Sequence, residues 1–364
     1  MSTNSKKITL FLSMGTFLLL SIYFLAQYIT AQTQENSTTP PPLKSASIES
    51  CATSSNLASC ASALLKSIIE KEGITPAKNQ LIEAVKNSKN FLPQCHTILH
   101  QVGADAWQLH REKAFLKDIY DCDFAYYHGM FPQSAKELGL EQFNALAQPF
   151  CNSITAPAML SSCYHGLGHA MRYAGETMAN SSKACSKAPT TDYSDDCMRG
   201  VVMEEYTLDQ PSPEKKTGNL LANCLTLTDT HSYMCIFDTI RMDLATFPEK
   251  TNAVSTLCKE NIYNDKWCNR GLGAGIAQSI MLPEDTAKSI QKINSLCRQK
   301  SECASAYGMT LVMTTRSEEN SLKTCSLLSP ELVAPCTEAA KTQAIAQSGQ
   351  GGFALDAEKS STTR

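Results

Sequence analysis

Apolar and polar positions divide the chain into distinct stretches before any motif is sought. From Ile8 to Ile29 the residues carry no charge and are mostly apolar, with Lys6-Lys7 just ahead of them. Twenty-two residues at about 1.5 Å each suffice to cross a hydrocarbon core of roughly 30 Å. The pattern predicts a transmembrane anchor at 8–29 and a cytoplasmic amino end at 1–7, because flanking basic residues stay inside. A cleaved signal sequence, with Ala31 as the last residue before the cut, is the competing reading and would make the protein secreted. Residues 30–48 are rich in Thr, Ser, Gln and Pro, including Pro40-Pro41-Pro42, and read as a stiff, solvated stalk. Residues 347–364 have little apolar content and read as a disordered tail.

Between stalk and tail the organising signal is the cysteines. There are sixteen, an even number, and none lies in a C-x-x-C or C-x-x-C-H pattern. That spacing argues against metal clusters and haem attachment and for paired disulfides, hence for a body outside the cytoplasm. From residue 151 onward they fall into close pairs: Cys151-Cys163, Cys185-Cys197, Cys224-Cys235, Cys258-Cys268, Cys297-Cys303 and Cys325-Cys336. The second members step by 34, 38, 33, 35 and 33 residues, a period typical of stacked supersecondary units. Pro213, Pro248 and Pro283 recur between them, each followed by Glu, and proline then acid is a good first turn for a helix.

The expected unit is a helix opening at Cys-x-x-Gly, a turn, a second helix starting at Pro-Glu, and a cysteine that ends it. Adjacent pairing is the expected connectivity, although spacing alone does not determine it. Each short loop so closed is worth roughly 3 kcal/mol. The fold class expected is all-α: a disulfide-stapled α-solenoid of helix pairs over 151–346, preceded by an amino-terminal helical part at 49–150. In that first part Cys51-Cys60 is a candidate capping pair, and Cys95-Cys122 would pin two longer helices together.

Helix pairs of this period with one cysteine pair per unit resemble Sel1-like repeat proteins, relatives of the tetratricopeptide repeats, over about residues 150–346. The resemblance is one of layout, and layout does not carry function.

The candidate chemistry lies in the histidines. Of seven, five form two i,i+4 pairs and a single site: His96/His100, His165/His169 and His128. Residues four apart share one helix face, and His128-Gly129 and His165-Gly166 stand about one repeat apart. Stacked units would bring these faces together as a transition-metal site for Cu, Zn or Fe, or as axial ligands of a haem, with redox or oxygen chemistry to follow. Glu176 and Glu204 are additional candidate ligands. A metal-free alternative makes His165 or His169 a general base beside Arg172. The places equivalent to His165 and His169 in later units hold Arg199 and Met203, Phe237 and Arg241, Arg270 and Ala274, and Ser305 and Met309. Any chemistry therefore belongs to the amino-terminal units.

A net charge of −3 argues against a nucleic-acid partner. Gly271-Leu-Gly-Ala-Gly lacks the preceding strand of a dinucleotide site. The partners expected are the membrane, through 8–29, and a protein on the repeat surface. The rival to a metal protein is a non-enzymatic interaction scaffold.

Overall fold

Among the described residues every element is a helix. A computed structural model describes residues 47–348, apart from 89, 117–118, 120, 209–219, 228, 260–264, 280–282, 299 and 316. No strand occurs among the described residues. The expected anchor at 8–29, nearly all of the stalk and most of the tail lie outside them, as does Pro213. Among the described residues no helix is long and apolar enough to cross a membrane.

The chain opens with α1 (Leu57–Glu72) and α2 (Ile74–Asn87), split by Gly73 at φ 100. Then follow α3 (Cys95–His110), α4 (Asp121–Leu138), α5 (Leu140–Asn152), α6 (Pro157–Tyr173), α7 (Met178–Cys185) and α8 (Thr191–Leu208). After a helical stretch at 220–224 come α9 (Asp229–Thr246), α10 (Thr251–Leu257), α11 (Asp265–Gln278), α12 (Pro283–Leu296), α13 (Ser301–Thr315), α14 (Glu318–Cys325) and α15 (Pro330–Ser348). Caps delimit several of them. Thr177 accepts a hydrogen bond from the Asn180 amide at the start of α7, and Ser317 does the same for Asn320 at α14.

Two layers result. The longer helices α1, α3, α4, α6, α8, α9, α11, α13 and α15 each pack on the next of their kind, and the shorter helices pack outside them. All sixteen cysteines are bonded, each to its neighbour in the chain: Cys51–Cys60, Cys95–Cys122, Cys151–Cys163, Cys185–Cys197, Cys224–Cys235, Cys258–Cys268, Cys297–Cys303 and Cys325–Cys336.

One expectation is corrected. The second cysteine of a pair does not open the longer helix but sits inside it: α6 starts at Pro157, ahead of Cys163, and α8 at Thr191, ahead of Cys197. The bond demands Cα atoms about 5.5 Å apart, and the loop must drop below that level before it turns back. The helix therefore begins before the cysteine comes level with its partner.

The helix layer is tight because glycines remove the side chain where two backbones meet. A Cβ on Gly129 of α4 would stand 1.7 Å from the His100 carbonyl oxygen of α3, and one on Gly200 of α8 would stand 2.0 Å from the His165 oxygen of α6. No larger residue fits either place without driving the helices apart. The first contact joins two helices that carry candidate histidines, and the second joins α6, which carries two more, to α8.

Candidate metal centre

Because α3, α4 and α6 pack in sequence at glycine distance, side chains on one face of all three meet. The ring centroids of His128 and His165 are 4.7 Å apart, those of His165 and His169 4.9 Å, and those of His128 and His169 5.2 Å. His96 and His100 continue the row beyond His128, at 5.4 and 6.4 Å from it. All five candidate histidines thus form one chain of rings, from α3 across α4 to α6. Three of them form a tighter group: ligand nitrogens of His128, His165 and His169 all lie within 4.8 Å of one another and can hold a metal ion.

Their hydrogen bonds orient the lone pairs. His165 Nδ1 is 3.1 Å from the Asp196 carbonyl oxygen, which can only accept, so Nδ1 carries the proton and Nε2 is bare. His169 Nδ1 donates to the Glu204 carboxylate at 2.8 Å, so Nε2 of the neutral ring is bare as well. The two Nε2 atoms face each other at 3.2 Å. Two lone pairs pointed together repel unless an electrophile sits between them. Nitrogens at about 2.0–2.1 Å from a tetrahedral ion stand about 3.3–3.4 Å apart, with ring centroids about 5 Å apart. The centroid spacing matches the triad, and the nitrogen spacing matches the His165–His169 pair.

A proton on one Nε2, donated to the other, is the other way to satisfy the pair, and burial opposes placing it on His165. Burial pushes His165 well below the ordinary histidine range, helped by the positive charge of His169, when protonated, and of Arg199. His128 is driven the same way, first by burial and then by its histidine neighbours. His100 is lowered to about 4 by burial, with His169 and His96 adding to it. These imidazoles stay neutral at physiological pH, the form that binds metals. His128 is only 7% exposed.

The acidic candidates part company. Glu204 reaches the cluster, but through His169 Nδ1, where it fixes the ring and raises its basicity. Glu176 does not reach it. Helix α6 ends at Tyr173 and the chain turns at Gly175, φ 93, so Glu176 leaves the histidine face and accepts from Asn180 instead. Arg172 is committed to the Glu205 carboxylate and the Glu176 carbonyl, which removes it as a charge stabiliser for a metal-free base. The remaining histidines lie elsewhere. His110 bonds the Ile69 carbonyl, and His231 is buried between the hydroxyls of Ser182 and Ser194.

Sequence reasoning missed the Asp196 carbonyl and Arg199. A backbone carbonyl leaves no trace in residue type. Arg199 occupies the place equivalent to His165 on α8, where it pairs with Asp238 of α9 at 3.1 Å. No protein-family model, curated protein or solved structure matches the chain.

Proposed function

We propose that this is a membrane-anchored, extracytoplasmic helical-repeat protein whose amino-terminal units hold a transition-metal ion, Zn, Cu or Fe, on His128, His165 and His169. The observation that carries the reading is the opposed Nε2 pair of His165 and His169, with both Nδ1 atoms already committed to oxygen. Neutral imidazole is the preferred ligand of borderline metals. Three protein ligands leave a fourth position for water or a small substrate, the arrangement of metal sites that do chemistry rather than brace a fold. Redox or oxygen chemistry would follow if the ion is Cu or Fe.

A bare ion fits better than haem. The rings touch one another directly, and a Cβ on Gly166 of α6 would already stand 3.0 Å from the Phe131 ring of α4. A macrocycle would have to force these helices apart. Eight disulfides suit an oxidising compartment.

The test is elemental analysis of the purified, oxidised full chain, wild type beside His165→Ala with His169→Ala. Stoichiometric metal in the wild type and none in the variant is the expected result. A wild-type protein that carries no metal and takes up none of Zn, Cu or Fe, yet retains a protein partner, would instead establish the scaffold reading.

A further inference from the structure

Two arginines share one buried acid, and a third at an equivalent place has none. Arg199, two residues after Cys197, donates Nε to Asp238, which stands three residues after Cys235 on the next long helix. Arg241 donates its own Nε to the other oxygen of that carboxylate. Arg270 stands two residues after Cys268, as Arg199 does after Cys197, but three residues after Cys303 on the next long helix comes Ala306. Its methyl group is buried in a small cluster with Met234, Phe237 and Ala274, against which Trp267 packs, and it accepts no hydrogen bond.

Arg270 is consequently short of acceptors. Its Nε is buried without a hydrogen-bond partner, and the side chain forms no ion pair among the described residues. Glu302 is the acid whose charge reaches it, yet that carboxylate accepts from the Ser301 hydroxyl at 3.1 Å. Asp265, at the start of the same helix, is held by Lys300 at 2.6 and 2.7 Å. Burial works against the charge of Arg270, and Glu302 only partly offsets that. What supports the guanidinium is the Trp267 ring, 4.7 Å below it and stacked on Tyr233 of α9. A guanidinium held over a ring by cation–π attraction still has N–H groups to give to a carboxylate.

From this placement we infer that Arg270, Trp267 and Tyr233 form a docking site for an acidic protein segment, which brings to Arg270 the carboxylate that Ala306 does not. All three side chains are partly exposed. Tryptophan, tyrosine and arginine carry most of the binding energy at protein interfaces. A partner's Asp or Glu can take two parallel N–H groups of the guanidinium, while an apolar neighbour lies against the aromatic pair. A free phosphate would engage the arginine alone and leave the rings unused. The site lies in the carboxyl-terminal units and does not depend on an ion at the histidines.

The experiment selects displayed random dodecapeptides on the oxidised full chain, then titrates the most enriched peptide by fluorescence anisotropy. Enriched peptides are expected to share an Asp or Glu beside an apolar residue. Replacing that acid by its amide in the peptide should weaken binding at least about tenfold. Arg270→Gln in the protein should do the same, with an unaltered helical circular-dichroism spectrum, whereas Lys266→Gln at an exposed neighbour should leave binding within about twofold. Ala306→Asp supplies the acid from within and should also abolish binding; where it fails to fold, the amide peptide and Arg270→Gln decide. Recovery of no peptide, enrichment without an acid, or binding to Arg270→Gln within about twofold of wild type overturns the site. Equal losses in Lys266→Gln and Arg270→Gln would show attraction by overall charge and overturn it too. Displacement of the peptide by an equal concentration of inorganic phosphate would make this a phosphate site instead.

Discussion

On α6 the residues two and six places after the cysteine are His165 and His169; on α11 the same places hold Arg270 and Ala274. The frames around them are alike. A Cβ on Gly168 of α6 would stand 1.9 Å from the Cys197 carbonyl, and one on Gly273 of α11 2.0 Å from the Cys303 carbonyl. Both helices are clamped to the preceding short segment by a disulfide. Yet the face that gathers imidazoles in the first region carries, in the second, Arg270 over the Trp267 ring at 4.7 Å and Trp267 stacked on Tyr233. Glycine contacts and disulfides thus set how closely and at what level helices meet, and are indifferent to what the meeting faces bear. Chemistry was installed by side-chain choice on a frame used many times.

Between the regions the frame itself changes. At α8 and α9 an ionic ladder joins the helices: Arg199 and Arg241 both pair with the fully buried Asp238, at 3.1 and 2.7 Å. Breaking such a buried network by removing one member costs about 3–5 kcal/mol, whereas keeping it adds less than that to net stability.

The sharpest way to break the comparison is to disturb the same contact in both regions. Gly129→Ala and Gly273→Ala each place a methyl group against a backbone carbonyl. Each should lower unfolding free energy by about 3 kcal/mol or more in denaturant titrations. Only Gly129→Ala should also weaken metal binding, by at least tenfold, because it displaces α4, and with it the adjacent His128, from its place beside α6. Equal loss of metal in both variants would mean that the site senses global stability rather than local geometry.

Acidification separates the regions next. His100, His128 and His165 have native-state pKa values below the unfolded value near 6.5, so the unfolded chain binds more protons as pH falls. Their contribution is fully present above about pH 6.5 and is lost as pH falls toward the native value, about 4 for His100. That group alone is worth at most roughly 3 kcal/mol. Metal-free protein should lose stability between pH 6.5 and 4, and replacing His100 with Gln should flatten that slope. A slope unchanged by the substitution would place the titrating group elsewhere.

A smaller effect is expected at the ring orienter. Glu204→Gln keeps a hydrogen-bond acceptor for His169 but removes the charge, and metal affinity should fall by about 10- to 100-fold with the melting temperature nearly unchanged. Smallest of all, Arg270→Ala in the second region should leave metal affinity within experimental error. Any loss there would show that the two faces are coupled.

Much of this was legible in the chain. Cysteines about ten residues apart made adjacent pairing the expectation, and proline followed by glutamate opens α12 at Pro283 and a short helical turn at Pro248. Histidines four apart must share a helix face. Glu176 was misplaced because helical periodicity was carried past Tyr173, where Gly175 in its left-handed turn ends the helix. The extent of the longer helices ahead of their cysteines was also hidden, because it depends on the level at which a neighbouring segment arrives.

The sequence by itself determined the all-helical repeat, the spacing of the cysteines and the short roll of histidines, since each depends on residues near one another along the chain. Tertiary structure alone decided that His128, His165 and His169 close to ligand distance while His96 and His100 stand wider. It also decided that Glu204 rather than Glu176 joins them, and that their Nδ1 atoms are spoken for. Those outcomes depend on distances between helices some 35 residues apart, set by a glycine on one meeting a carbonyl on the next, and no local pattern encodes such a distance.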